Sequence, residues 1–158
     1  MEYREVLEKR HSVRKFTADP VDRQTIDDII EEALLSPSSR NSKSSGFMII
    51  EDPDTLQAMS QMRDYGAGLL AGAAAAIVVL GDTQKTDLWL DNAAISATYL
   101  MLSATARGIG SCWVHVNGRP RFKADPQKGS AEEYLRELLG IKDHMRPLCV
   151  VALGYEAL

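Results

Sequence analysis

Residues Lys9 to Phe16 read K-R-H-S-V-R-K-F, placing four permanent cations in seven residues of a chain with a formal net charge of −4. A short apolar stripe, Tyr3, Val6 and Leu7, reads as a helix ending near Arg10. Cations just past a helix C-terminus complement its dipole by about 0.3–1 kcal/mol each. That accounts for one or two of the four, because cations held together repel. Ser12, set between them, adds a hydroxyl donor. Guanidinium, ammonium, hydroxyl and backbone N–H groups together suit a phosphate carrying about −1.5 to −2 charge. Spacing alone leaves a compact anion site and an ordinary solvated surface equally open.

Other chemistries find less support. Gly66-Ala67-Gly68-Leu69-Leu70-Ala71 matches the dinucleotide fingerprint G-x-G-x-x-G/A, and Asp91 lies about twenty residues further on. The context is wrong, because the fingerprint needs a strand before the glycines and a helix after them. Here the apolar strand Ala76–Leu80 comes after, so close backbone packing of a short Ala/Gly helix is the preferred reading. His11, His115 and His144 lack ligand spacing, and no H-E-x-x-H or G-x-S-x-G occurs. Cys112 and Cys149 form no C-x-x-C or Cys/His pattern, which points to free thiols and no metal. No catalytic side chain stands out, so an enzyme built on this chain would borrow its reactive group.

The elements that position these residues are well punctuated. Asp22 can cap a helix carrying Ile26, Ile29, Ile30, Ala33 and Leu34 on one face. The stretch Ser36–Gly46, S-P-S-S-R-N-S-K-S-S-G, has no aliphatic side chain and reads as a loop. Phe47–Ile50 is an expected strand, and Asp52-Pro53 starts a helix expected to reach about Arg63. Leu88–Arg107 reads as a long helix rich in small residues, stopped by Gly108. Ile109–Val116 is an expected strand containing Trp113. Ser130 opens a capping box for a helix through Leu139, and Leu148–Leu153 is a last strand. The 158 residues, 45% hydrophobic and 25% charged, fit one domain over 1–158 with helices on both faces of a sheet. The strand–helix alternation alone favours a parallel sheet. The acidic balance argues against nucleic acid, and no apolar run reaches the roughly 20 residues of a membrane span. With a polar N-terminus, M-E-Y-R-E, the chain is expected to be cytoplasmic.

Three blocks, R-H-S-V-R-K-F at 10–16, S-P-S-S-R-N-S at 36–42 and A-R-G-I-G-S-C-W-V at 106–114, resemble in order and spacing the signature blocks of the nitroreductase family of FMN-dependent oxidoreductases. Leu153-Gly154-Tyr155 also fits, so the similarity covers essentially the whole chain. The resemblance implies an α+β fold with a mainly antiparallel central sheet between helices, and a homodimer with FMN at the subunit interface. It implies that Arg10, Ser12 and Arg14 hold the FMN phosphate and ribityl chain, with His11 contributing backbone. Pro37, Ser38, Ser39 and Asn41 would reach the isoalloxazine ring from the other subunit. Gly110, Ser111, Cys112 and Trp113 would set backbone against the flavin, the small Gly110 allowing close approach. For the small-residue helix the implied role is the dimer core, against packing inside one subunit. The implied activity is ping-pong: NADH or NADPH gives hydride to the flavin, and a nitroaromatic, quinone or similar small acceptor then takes the electrons. The alternative is a non-enzymatic flavin-binding or sensor protein on the same fold.

The chain departs from the family pattern in three places. Asn41 is followed by Ser42-Lys43-Ser44-Ser45-Gly46 where the family commonly has N-x-Q-P-W. His115 stands where a small residue is common. Glu156-Ala157-Leu158 follows the last strand where a basic residue usually meets the phosphate. Loss of that contact would weaken FMN binding by about 1.5–3 kcal/mol unless Lys9 or Arg40 substitutes.

Overall fold

The computed structural model describes all residues from Met1 to Leu158. Nine regular elements follow in the order α1 (Tyr3–Lys9), α2 (Arg23–Ala33), β1 (Ser45–Ile50), α3 (Pro53–Met59), β2 (Ala75–Asp82), α4 (Trp89–Ala106), β3 (Gly110–His115), α5 (Ala131–Leu139) and β4 (Met145–Gly154). Two helices start as their sequences require: the Asp52 carboxylate accepts from Thr55 N–H at 2.9 Å, and the Ser130 hydroxyl accepts from Glu133 N–H at 3.0 Å. Asp22 begins α2 without a side-chain cap. The third helix stops at Met59, short of the expected Arg63.

The strands form one sheet in the order β1-β2-β4-β3, and every pairing is antiparallel. The parallel sheet suggested by strand–helix alternation is therefore wrong, and the antiparallel sheet implied by the resemblance is right. The physical reason is that both faces are covered. Ile77, Val79, Val151 and Leu153 pack toward α2 and α4, while Val78, Leu80, Val150 and Ala152 pack with Leu56, Met59, Leu70 and Leu135 on the other face. Strands buried on both sides read as continuous apolar runs whatever their direction.

In helix α4 the small residues Ala93, Ala97 and Ala104 are fully buried against α2 and the sheet of the same chain. These three alanines pack inside one subunit. The side left open carries Asp91, Ile95, Thr98 and Tyr99, and Tyr99 shares a groove with exposed Tyr3 of α1. At the end of α4, the Arg107 guanidinium pairs with the Glu32 carboxylate, which also accepts from the Ser103 hydroxyl at 2.8 Å. The tie fixes α4 to α2 just before β3 begins.

The basic stretch runs extended along this end of the sheet. Val13 N–H donates to Ser111 O at 2.9 Å, Thr17 N–H to Tyr155 O at 2.8 Å, and Ala157 N–H to Lys15 O at 2.9 Å. Two glycines make the seat. A Cβ on Gly110 would lie 2.9 Å from the Val13 side chain, and one on Gly154 would lie 2.7 Å from the Phe16 ring. His11 closes the seam, with Nδ1 2.8 Å from Lys9 O and Nε2 3.1 Å from both Glu156 carboxylate oxygens. All these partners are acceptors, so only the imidazolium donates to both sides at once. The Lys9 carbonyl first, then Glu156, raises the His11 pKa above its ordinary value.

Gly110→Ala is expected to destabilise the protein by about 1–3 kcal/mol in urea unfolding, the usual cost of overpacking. Combined with Val13→Ala it should cost less than the two single changes added together; strict additivity would show that Val13 does not set the limit at Gly110. Because the folded His11 pKa is raised, its contact stabilises fully below the unfolded pKa and is lost as pH rises through the folded one. An NMR titration should show the His11 midpoint falling in Glu156→Gln, and an unmoved midpoint would dismiss the contact.

Candidate functional site

Backbone alternation along residues 12–14 decides which side chains face out. Val13 is buried at 3% exposure, while Ser12 and Arg14 on either side are exposed. Arg10 sits at the C-cap of α1, half-buried. Neither Arg10, Arg14 nor Lys15 takes part in any ion pair, whereas Lys9 is held by Glu5 at 2.7 Å. Lys9 is thus not a free substitute cation. The N–H groups of Ser12 and Arg14 donate to no backbone carbonyl. An extended ribbon therefore presents two uncompensated guanidinium groups, an ammonium, a hydroxyl and open N–H donors. The His11 ring is not among them, being turned to Glu156.

The third block lies directly against the first through the parallel bridge between Ser12 and Ser111. Beside it is a cleft of about 210 Å³ whose lining includes Lys9, His11, Val13, Gly110 and Glu156. The room at Gly110 is taken by Val13, so the close approach it permits is made by the chain itself and not left free for a ligand. Ser111 is buried, and its hydroxyl has no partner. The Cys112 thiol is buried next to Ser12. Desolvation raises its pKa and the positive charge of Arg14 offsets only part of that, so the thiol stays protonated. Burial pushes Cys149 up much further. No cluster of His, Cys, Asp and Glu side chains has the arrangement of a metal site.

Trp113 is half-buried, and its indole N–H donates to His115 Nδ1 at 3.1 Å, with the two rings stacked at 6.1 Å. That bond fixes His115 as the Nε2–H tautomer. Burial first, then the charges of Arg119 and Arg63, lowers its pKa, so the ring is neutral near pH 7. His115 is therefore a positioned half-buried imidazole rather than a surface one.

The second block is organised by a residue that sequence reasoning missed. Asn92 on α4, only 2% exposed, accepts from Ser39 N–H at 3.0 Å and lies 3.1, 3.2 and 2.9 Å from the hydroxyls of Ser39, Ser42 and Ser44. Ser96, one turn on, touches the hydroxyls of Ser36 and Ser45 at 2.9 and 2.8 Å. The Ser38 hydroxyl accepts from Lys43 N–H at 2.9 Å. This network holds Arg40, Asn41 and Lys43 at φ of 51°, 53° and 50°, a left-handed geometry costing about 1–2 kcal/mol per residue. An amide within the apolar run W-L-D-N-A-A-I-S-A was the available signal. Pro37 and Asn41 are exposed, while Ser38 and Ser39 are half-buried.

Within one chain these groups form two separate sites. The second block feeds β1 at one edge of the sheet, and the first and third blocks lie on β3 at the other edge. Along α4, Asn92 and Ala106 are about 21 Å apart at 1.5 Å per residue.

A model of the family described as "Nitroreductase family" matches residues 7–155. A protein of Archaeoglobus fulgidus described as "Putative NADH dehydrogenase/NAD(P)H nitroreductase" is 33% identical over 151 residues, covering 92% of this chain and 80% of that protein. An FMN-dependent nitroreductase of Clostridium difficile R20291 superimposes with a TM-score of 0.91 at 34% identity, covering 97% of this chain and 87% of that one. A Desulfovibrio desulfuricans protein solved in complex with FMN shares the fold, with a TM-score of 0.80 at 18% identity over 100% of this chain and 88% of its own. A family match over nearly the full length, joined to this sheet order, places the chain in the nitroreductase family.

Proposed function

We propose that the chain is an FMN-dependent oxidoreductase that takes hydride from NADH or NADPH and passes electrons to a small nitroaromatic, quinone or similar acceptor in a ping-pong cycle. The observation that carries this reading is the pair Arg10 and Arg14, unpaired and flanking Ser12 on a ribbon fixed to β3. The donor set fits the group: a phosphate monoester offers three acceptor oxygens and nearly two negative charges. FMN, when bound, supplies the centre that accepts hydride and returns electrons.

The protein's own residues do the rest. Arg10, Arg14 and Ser12 grip the phosphate, each charge-assisted bond contributing about 1.5–3 kcal/mol. Val13, seated on Gly110, keeps Ser12 and Arg14 facing outward, and Phe16, seated on Gly154, anchors the end of the segment. Ser111, Cys112 and Trp113 border the ring through backbone, and the protonated Cys112 thiol takes no covalent part. The Trp113 N–H holds the His115 imidazole still at the end of the same strand.

A homodimer accounts for the distance between the two halves. Tyr99 of α4 and Tyr3 of α1, 41% and 73% exposed, line a groove of about 440 Å³ that also contains Leu102, and Ile95 on α4 is a further 37% exposed. Apolar surface of this kind marks an interaction face. Pairing two such faces about a two-fold axis sets Pro37, Ser38, Ser39 and Asn41 of one subunit toward the arginines of its partner.

Arg10→Ala and Arg14→Ala should each weaken FMN binding by about 10- to 150-fold in a fluorescence titration, with the circular dichroism spectrum retained. Unaltered affinity in both would defeat the phosphate assignment. Tyr99→Asp should yield monomers in sedimentation that bind FMN more weakly; a persisting dimer would remove this face from the interface. Bound flavin that neither NADH nor NADPH bleaches would favour the non-enzymatic flavin-binding alternative.

A further inference from the structure

The Gly66-x-Gly68 pattern, rejected above as a dinucleotide fingerprint, lines a second cleft. It measures about 460 Å³ and is walled by Arg63, Asp64, Tyr65, Arg121 and Phe122. The expected short helix is present as a 3-10 helix over Gly68–Gly72, but close packing at the glycines is not what it rests on. A Cβ on Gly68 would meet nothing within 4 Å, whereas Gly66 is needed for its φ of +76°. The cleft faces solvent at the end of α3, against the loop of residues 117–129.

The cations here are stacked on rings. The Arg63 guanidinium lies 4.3 Å from the Tyr65 ring centre and Lys123 Nζ lies 5.3 Å from the same ring. Arg121 lies 4.9 Å from the Phe122 ring centre and 4.2 Å from that of Tyr134. A stacked guanidinium keeps in-plane donors free for an anion. None of Arg63, Arg121 and Lys123 forms an ion pair. The neighbouring carboxylate, Asp64, already accepts from Lys123 N–H at 3.1 Å. Arg63 Nε is buried with no partner, while its Nη1 donates to His115 O at 3.1 Å. A buried donor without an acceptor is costly, and a ligand or a bridging water is the usual remedy.

Arg63 also sets where the cleft lies. Its contact at His115 is three residues along β3 from Cys112, about 10 Å at the rise of a strand. An extended dinucleotide spans such a separation. Arg63, Arg121 and Lys123 outnumber the one carboxylate, Asp64, and favour a compact polyanion, while half-buried Tyr65 and Phe122 in the cleft wall offer ring surface beside them for a planar base.

We propose that this cleft receives the adenosine end of the reducing dinucleotide, with a phosphate set among Arg63, Arg121 and Lys123, so that NADPH, which carries an additional 2′-phosphate, is preferred over NADH. The proposal rests on the oxidoreductase reading above and names its reductant.

Calorimetric titration of the full chain with adenosine 2′,5′-bisphosphate, 5′-AMP and inorganic phosphate tests it without turnover, before and after FMN loading. The bisphosphate is expected to bind at least tenfold more tightly than 5′-AMP or phosphate. Lys123→Glu, an exposed change, should reduce that affinity at least tenfold while melting behaviour is kept. In the FMN-loaded protein it should raise KM for NADPH by a similar factor and KM for NADH by less. Tyr65→Ala should weaken binding of the bisphosphate more than that of inorganic phosphate. Bisphosphate binding no tighter than 5′-AMP, or unaffected by Lys123→Glu, overturns the proposal. If that happens while either nucleotide still reduces bound FMN, the oxidoreductase reading stands without it. Bisphosphate binding lost in Lys123→Glu, with no flavin reduction by either nucleotide, supports the cleft and removes the oxidoreductase reading.

Discussion

The candidate site depends on one packing constraint: residues 10–17 must lie flat against the end of the sheet. Two positions without side chains make this possible, since Val13 occupies the space at Gly110 and Phe16 the space at Gly154. Once Val13 is buried, alternation along residues 12–14 turns Ser12 and Arg14 outward, and Phe16 pins the end of the segment. Their charge is uncompensated because the nearby carboxylates are engaged, Glu5 by Lys9 and Glu156 by His11. A hydrophobic contact thus creates an electrostatic site. The glycine expected to admit a ligand instead admits the segment that would grip one.

A second polar assembly is built by opposite means. The loop Ser36–Ser44 has almost no apolar content to bury, so hydrogen bonds hold it to one amide and one hydroxyl on α4. Three non-glycine residues in left-handed geometry show that the loop conformation is imposed by this network rather than by local preference. The two assemblies sit at opposite edges of one sheet, joined by α4. The helix divides its faces accordingly, burying its alanines within the chain, turning Asn92 and Ser96 to the serine loop and leaving Ile95 and Tyr99 outward.

Much of this was legible in the residues. Strands at 47–50, 76–80, 109–116 and 148–153 were visible as apolar runs, and the caps Asp52 and Ser130 hold as read. Strand direction was not legible, because helices on both faces remove the alternation that would have signalled an antiparallel sheet. The resemblance supplied it. The basic knot was obvious as charge, but its seat against the sheet depends on Gly110 and Gly154, which lie about a hundred residues or more away in sequence. Asn92 was overlooked because one amide in an apolar helix has no periodic signature. The cleft around Arg63 was hidden for a related reason: Tyr65, Arg121 and Lys123 meet only through tertiary contacts.

The most direct test of the central claim is a crystal structure of the protein grown with FMN. The phosphate is expected within hydrogen-bonding distance, about 2.7–2.9 Å, of the Arg10 and Arg14 guanidinium groups and the Ser12 hydroxyl. Those guanidinium groups directed into solvent while FMN lies elsewhere would contradict it.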